Sequence, residues 1–224
     1  MNSGQANSIA IRLILWSLAL LAGLFVAAWV GQVLGGFILA YHKIFIALWA
    51  VFLIAILYLS RDPDPLEPSD LNAVVAPAHG TVDVIEPATE AEFIKGACQR
   101  VSIRVALTDV QVQYAPLTGT VAFFQHQRPL KDGGGAGAAS ENLFIGLDAI
   151  GRAGVKVGLR LIGGTWGRRI LPWVRSNDLV TRSVRLGMMR PGSRVDLYLP
   201  PDLKLVVKVG DEVAGGQSVV AKFA

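Results

Sequence analysis

One stretch of the chain holds most of the side chains that could perform chemistry. It spans residues 185–200 and reads Arg-Leu-Gly-Met-Met-Arg-Pro-Gly-Ser-Arg-Val-Asp-Leu-Tyr-Leu-Pro. Within it, Ser193 offers a hydroxyl nucleophile, which needs a general base close by to take its proton. The same Pro-Gly-Ser segment is equally typical of a tight β-turn that performs no chemistry. The function of Ser193 therefore depends on the elements that surround it.

Other polar residues indicate weaker candidate sites. Arg168 and Arg169 could clamp the phosphate of a lipid, and a structural ion pair is the competing interpretation. His126 follows two phenylalanines and is interpreted as an ordinary loop histidine. Cys98 has no His or Cys companion at metal-ligand spacing, so no metal site is expected. The Gly-rich run 133–139 lacks the ending of a phosphate-binding loop and predicts a plain loop.

The charged residues divide the 224-residue chain into two chemically different parts. Residues 1–60 contain no Asp or Glu, and their only charged residues are Arg12 and Lys43. Because about 20 apolar residues span a bilayer, two membrane helices are predicted near 13–30 and 43–59. A hairpin that enters only one leaflet is the alternative. The first part is therefore predicted to be an N-terminal membrane anchor of two helices.

The flanking charges favour one orientation of this anchor. Arg12 and Arg61 lie on one side of the two predicted helices, and Lys43 lies on the other. The positive-inside rule then places the soluble domain on the cytoplasmic face of the cell membrane. The single cysteine, Cys98, agrees with a reducing compartment. The net charge of +4 comes from a few excess bases and not from a basic stripe, so no nucleic-acid partner is expected.

The remainder of the chain predicts a mainly β domain. Residues 61–72 are rich in proline and predict a stiff linker, and the β domain occupies 73–224. Short β-branched runs predict strands near 74–75, 81–85, 100–105, 111–113, 118–124, 155–162, 194–199 and 204–209. The Gly-Asp turn at 210–211 resembles that of biotinyl and lipoyl carrier barrels, but Arg190 follows Met188-Met189 where a carrier needs lysine. A barrel-like β-sandwich without carrier function is therefore expected.

The stretch 185–200 closely resembles the cleavage region of short-form bacterial phosphatidylserine decarboxylases. Further segments occur in the order typical of that family, namely Arg61-Asp-Pro, Ala76-Pro-Ala-x-Gly-x-Val, Asp109-Val, Ser140-Glu-Asn, Gly167-Arg-Arg-Ile and Val209-Gly-Asp. An anchor of two helices before Arg61 also fits the family. On these residues the chain is identified as a member of the family over about residues 10–224.

The resemblance implies self-cleavage and a cofactor made from the chain itself. The hydroxyl of Ser193 would attack the carbonyl of Gly192, giving a β chain of residues 1–192 and an α chain of residues 193–224. Elimination and hydrolysis would leave a pyruvoyl group on the new N-terminus. Its carbonyl would condense with the amine of phosphatidylserine, and the resulting imine would accept the electrons left as CO₂ departs. The product would be phosphatidylethanolamine. No metal and no pyridoxal phosphate are then required.

Partners are implied by the same resemblance. They are a membrane phospholipid and the α and β chains of the protein itself, and the resemblance leaves open a homodimer or a pairing with an active paralogue. Because the substrate is a lipid, the anchor has a chemical reason, which is that the site must stay at the bilayer surface.

The chain departs from the family pattern at two catalytic positions, and also in the Asn-Glu-Arg segment of the family, which reads Asn142-Leu143-Phe144 here. The family uses a histidine in an Asp-Val-His-Val segment as base, oriented by the aspartate of Ala-Asp-Gly, and these positions read Gln111 and His79 here. Glutamine cannot take a proton at neutral pH, and losing a general base costs about 10²–10⁴-fold in rate. Three interpretations stay open. His79 acts as the base with Gln111 orienting it, or the chain is a non-cleaving homologue that binds phospholipid or regulates a partner, or His79 has no role.

Overall fold

The computed structural model describes residues 4–31, 37–59, 64–128, 141–152, 154–164, 169–190 and 192–223. The chain divides into two units, Met1–Asp62 and Pro63–Ala224. The first unit contains two helices, and the second contains all fourteen strands found in the described residues. The mainly β class with two apolar helices before it, predicted from the sequence, is confirmed.

The two helices of the first unit are α1 (Gly4–Gly31) and α2 (Phe37–Leu59). Both begin several residues before the predicted bounds, because the Leu, Ala and Ile that fill them favour helix and no breaker intervenes. The segments Ile11–Val30 and Tyr41–Tyr58 are long and apolar enough to cross a membrane. The indole N–H of Trp49 donates to the carbonyl of Ser17 at 3.1 Å, which joins the two helices.

The second unit consists of short antiparallel strands. They are β1 (Ala73–Val75), β2 (Gly80–Glu90), β3 (Gly96–Arg104), β4 (Val112–Tyr114), β5 (Gly119–Gln127), β6 (Asn142–Ala149), β7 (Lys156–Ile162), β8 (Ile170–Pro172), β9 (Leu179–Val180), β10 (Arg185–Met189), β11 (Arg194–Leu199), β12 (Lys204–Leu205), β13 (Glu212–Val213) and β14 (Val219–Lys222).

These strands form one large sheet and two small ones. The large sheet has eight strands in the order β13-β2-β3-β11-β7-β6-β5-β9 and curls into a half-barrel. The small sheets have the orders β1-β14-β12 and β4-β10-β8. Period-two alternation explains the core, since Val195, Leu197 and Leu199 of β11 lie in the main apolar cluster while Arg194 and Asp196 occupy the other face. The strand β11 is thus central, with partners on both sides.

Several strands were absent from the sequence-based prediction. The strand β6 is a nearly continuous buried run, and such a run does not show the alternation that identifies a half-buried strand. The strand β10 contains Gly187 and two methionines, which favour no strand by propensity. The strand predicted at 204–209 is wrong in extent, because only β12 forms there. The predicted loop at 133–139 lies outside the described residues.

The proline-rich segment is bound to the β unit where the structure describes it. The buried guanidinium of Arg182 donates to the Glu67 carboxylate at 2.9 Å and to the carbonyls of Pro68, Asp70 and Ala73 at 2.7, 2.6 and 3.2 Å. A buried arginine is stable only when its donors are paired in this way. Residues 67–73 are therefore fixed on the β unit.

Candidate functional site

Several of the residues that the sequence singled out lie near one edge of the eight-stranded sheet. The register places one row of residues across the sheet, which contains Gln127, Asn142, Ile162, Arg194, Arg104, Thr81 and Glu212 in that order. The Gly192–Ser193 bond immediately precedes Arg194 of this row. His79 precedes β2 on one side of β11, and Glu141 precedes β6 on the other side. Both lie two strands away from β11.

The Gly192–Ser193 turn combines a buried serine with a glycine in the left-handed region. Gly192 has φ of 77°, a value that a side chain would disfavour. Ser193 is 2% exposed, and its hydroxyl donates to the carbonyl of Arg190. The carbonyl of Ser193 accepts from the N–H of Val105 at 3.0 Å. The carbonyl of Ser193 is therefore held by the residue that follows β3. The hydroxyl of Ser193 donates to a backbone carbonyl, which cannot act as a general base.

The backbone of Gly164 lies directly against the Gly192–Ser193 peptide. A Cβ built on Gly164 would stand 1.8 Å from the carbonyl oxygen of Gly192, 2.3 Å from its carbonyl carbon and 2.9 Å from the nitrogen of Ser193. Only glycine fits this contact, because no side chain can approach backbone atoms so closely. The sequence-based interpretation missed Gly164, although the Gly163-Gly164 pair directly after a predicted strand was the available signal.

Glu141 connects three segments at the same edge. Its side chain is 6% exposed, and Oε1 lies 2.5 Å from Nε2 of His126. Its Oε2 accepts from the N–H of Ile170 at 3.1 Å, and its carbonyl accepts from the N–H of Gly163 at 2.8 Å. The interpretation of His126 as a loop residue is wrong, because it lies in β5 and its ring is mostly buried against this carboxylate.

The structure describes both Gln111 and His79, the two residues expected from the sequence to stand at the family's histidine and aspartate positions. The carbonyl of Gln111 accepts from the N–H of Met189 at 2.9 Å, which places it beside the segment that leads to Ser193. Its amide donates to the carbonyls of Ala106 and Asp109 at 3.0 and 2.7 Å. Its buried Oε1 has no hydrogen-bond partner among the described residues. That oxygen can therefore still accept a hydrogen bond.

His79 lies on the other side of β3 from Ser193. Its ring meets the Tyr114 ring edge-on, with 6.0 Å between centroids. Gly80, the next residue, packs on the carbonyl of Arg104 so closely that a Cβ there would lie 2.2 Å from the oxygen. Two strand spacings separate the backbone at His79 from β11, which is about 10 Å. The side chains of His79 and Ser193 can together bridge most of that distance only if they point toward each other.

A cleft of about 500 Å³ adjoins this edge. Its lining includes His79 and two acids, Asp109 and Glu212, along with Gly80, Thr81, Ala106, Thr108, Val213, Ala214 and Ser218. The mixed polar lining suits a charged head group better than a hydrocarbon chain. Glu212 was not singled out from the sequence, although it follows the Gly210-Asp211 turn.

The two candidate phosphate ligands differ in what the structure describes. Arg168 lies outside the described residues, whereas Arg169 is exposed directly before β8. Arg169 therefore belongs to the same connection between β7 and β8 as Gly164. Among the described residues, no group of three or more His, Cys, Asp and Glu side chains could hold a metal ion.

This arrangement is suited to acyl chemistry within one peptide. It holds a serine hydroxyl, the preceding glycine carbonyl in a conformation that glycine alone adopts readily, and a glycine-lined wall against that carbonyl. The hydroxyl and the carbonyl carbon are neighbours in the chain, so the reaction needs no approach of a second molecule.

Comparison with known proteins points to one family. The chain matches the family model described as phosphatidylserine decarboxylase over residues 52–221. The phosphatidylserine decarboxylase proenzyme of Trichlorobacter lovleyi is 38% identical over 78% of this chain and 80% of its own length. Those of Desulfotalea psychrophila and Geobacter metallireducens are 34% and 32% identical, over 77% and 89% of this chain and 83% and 91% of their own lengths.

No solved structure matches the chain significantly. The relatives share the name phosphatidylserine decarboxylase proenzyme, which supports the family function. The family match covers most of the β unit, including Gly164 and the Gly192–Ser193 bond. On these grounds, the chain belongs to the phosphatidylserine decarboxylase family.

Proposed function

We propose that this chain is an active phosphatidylserine decarboxylase that cleaves itself at Gly192–Ser193 and converts phosphatidylserine to phosphatidylethanolamine and CO₂. Members of this family are carboxy-lyases. The observation that carries the proposal is the contact of Gly164 with the carbonyl of Gly192, which belongs to the bond that we propose to break. The left-handed φ of Gly192 supports the same bond.

Self-cleavage requires a defined sequence of bond changes at this turn. Ser193 Oγ bonds to the carbonyl carbon of Gly192, the peptide C–N bond breaks, and the nitrogen of Ser193 takes a proton to give an ester and an amine. β-Elimination then breaks the ester and releases the carboxylate of Gly192. Hydrolysis by water then removes the nitrogen of residue 193 as ammonia and leaves a pyruvoyl group at position 193. When formed, that group supplies a carbonyl electron sink for decarboxylation.

We propose His79 as the base that takes the hydroxyl proton of Ser193, with Gln111 as its orienting partner. Two observations support this assignment. His79 lines the cleft at the edge where Ser193 lies, and the vacant Oε1 of Gln111 can accept an imidazole N–H. The hydroxyl of Ser193 must first leave the carbonyl of Arg190. Cleavage happens once in each molecule, so a slow step suffices.

The proposed place of reaction is the cytoplasmic face of the cell membrane. The segments Ile11–Val30 and Tyr41–Tyr58 support an anchor, and a phospholipid of the bilayer is the proposed substrate. We place its head group in the cleft beside His79, where the carboxylates of Asp109 and Glu212 can attract the ammonium. Arg169, together with Arg168, is the proposed ligand of the lipid phosphate.

The strand pairing explains how the cut chain would stay together. The fragment 193–224 contains β11, which pairs with β3 and β7, as well as β13 and β14, which pair with β2 and β1. The fragment therefore keeps its ladder hydrogen bonds and its share of the core after the bond breaks. Its new N-terminus stays at the site because the N–H of Val105 still holds the carbonyl of residue 193.

Intact-mass measurement of the denatured protein tests this proposal. Cleavage should give a fragment of residues 1–192 and one of residues 193–224 with a blocked N-terminus, and vesicles of phosphatidylserine should then release CO₂. Ser193→Ala should give only the 23.9 kDa chain. Ser183→Ala is the matched control, because Ser183 is a buried serine whose hydroxyl donates to the carbonyl of Gly216 at 2.6 Å. An uncut wild-type chain would refute the proposal.

A further inference from the structure

The connection between β7 and β8 is hydrogen-bonded at both ends to one residue, Glu141. Its first residue, Gly163, donates its N–H to the Glu141 carbonyl at 2.8 Å. At the other end, Ile170 donates its N–H to Oε2 of the Glu141 side chain at 3.1 Å. The carboxylate thus fixes where the connection ends, and the carbonyl fixes where it starts.

Burial makes this attachment strong. The Glu141 side chain is 6% exposed, and Oε1 lies 2.5 Å from Nε2 of His126, whose own side chain is 11% exposed. Arg128 lies 3.8 Å from the same oxygen but is 73% exposed, so solvent screens it. A buried carboxylate without its partners would be costly, and these contacts therefore fix residue 141 relative to β5 and β8.

The same connection carries Gly164, which forms the wall against the carbonyl of Gly192. When the hydroxyl of Ser193 attacks, this carbonyl becomes tetrahedral and its oxygen becomes charged. Displacement of the wall by about 1 Å changes the approach of the hydroxyl, and such misplacement can cost about 100-fold in rate. The residue that fixes the wall therefore controls the reacting carbonyl from a distance.

We propose that Glu141 is a positioning residue for self-cleavage, acting through Gly163–Gly164 on the carbonyl of Gly192, with His126 holding its carboxylate in place. This inference rests on the proposed cleavage at Gly192–Ser193. It assigns a role to a histidine and a glutamate that lie on the opposite side of β11 from His79. Glu141 does not touch the reacting atoms, so it positions and does not transfer the proton.

The rate of appearance of the 193–224 fragment after synthesis tests this role. Glu141→Ala should slow cleavage at least about tenfold, and Glu141→Gln, which keeps an acceptor for the N–H of Ile170, should slow it less. Glu90→Ala is the matched control. Glu90 is 3% exposed and accepts the N–H groups of Glu92, Phe93 and Ile94, but it lies at the opposite end of the sheet. It should lower the melting temperature and leave the cleavage rate unchanged.

A double-mutant cycle separates positioning from a loss of stability. If Glu141 acts through the wall, combining Glu141→Gln with Gly164→Ala should slow cleavage no more than the slower single variant does. Multiplying rate effects, or wild-type cleavage in both Glu141 variants, would overturn the inference while leaving self-cleavage intact. An uncut wild-type chain would overturn the proposed function and this inference together, so the two failures are distinguishable.

Discussion

Replacing Gly164 with alanine is expected to impair self-cleavage far more than it impairs folding. The new Cβ would lie 1.8 Å from the oxygen and 2.3 Å from the carbon of the Gly192 carbonyl. Both are backbone atoms, so no flexible side chain can move aside. The two segments must separate by about 1.6 Å to reach ordinary van der Waals contact.

The substitution is expected to cost little folding free energy and to slow cleavage strongly. Inserting one carbon into a packed contact costs about 1–3 kcal/mol of folding free energy, which a domain with this core can tolerate. A displacement above 1 Å at the reacting carbonyl is expected to slow the acyl shift about 100-fold or more. Gly164→Ala should therefore fold, unfold at a somewhat lower denaturant concentration, and accumulate as the uncut chain.

The assay is a time course of intact mass after synthesis, combined with urea unfolding of the same samples. Gly96→Ala is the matched control, because its Cβ would have no atom nearer than the Ile94 carbonyl oxygen at 4.0 Å. That variant should cleave at the wild-type rate. Wild-type cleavage in Gly164→Ala would refute the argument that this wall positions the carbonyl. Loss of folded protein in Gly164→Ala would refute the stated stability cost.

Three further predictions concern the base, a carboxylate and the segment after the anchor. His79→Ala should abolish or greatly slow the appearance of the 193–224 fragment, and normal cleavage would exclude His79 as the base. Burial raises the pKa of Glu90, but three backbone hydrogen bonds lower it more, so its pKa lies below the ordinary 4.5. Glu90→Gln should therefore remove stability that is present above pH 4.5 and lost as the pH falls through the lower folded value, which urea unfolding from about pH 3 to about pH 7 would measure. Arg182→Met should reduce the free energy of unfolding by about 3 kcal/mol, because four acceptors lose a buried donor. Arg175 is exposed, so Arg175→Met should change the free energy of unfolding little. Equal unfolding midpoints for these two arginine variants would contradict that reasoning.

The sequence predicted the parts of this protein that depend on local composition. An acid-free stretch of apolar residues gave the two helices, since length and hydropathy alone decide whether a helix can span a bilayer. The strands β3, β5, β7 and β11 were predicted from β-branched alternation, which reports one buried face. The family was predicted from the Gly192–Ser193 motif and the order of the accompanying segments, and the comparisons confirm it.

Other elements could not be predicted because their causes lie in distant residues. The strand β6 is buried on both faces, so its side chains carry no alternation, and β10 exists because β4 and β8 pair with it. His126 read as a loop residue since nothing local indicates that Glu141 lies beside it. Residues far apart in sequence meet only after the sheet has formed.

The site shows the same division. By itself, the sequence determined which side chains can donate or accept a proton, including the hydroxyl of Ser193, the imidazole of His79 and the amide of Gln111, because residue identity decides this chemistry. Only the tertiary structure decided that the backbone of Gly164 lies against the carbonyl of Gly192. That contact depends on a close approach of two backbones, and a backbone contact leaves no mark in sequence except the absence of a side chain.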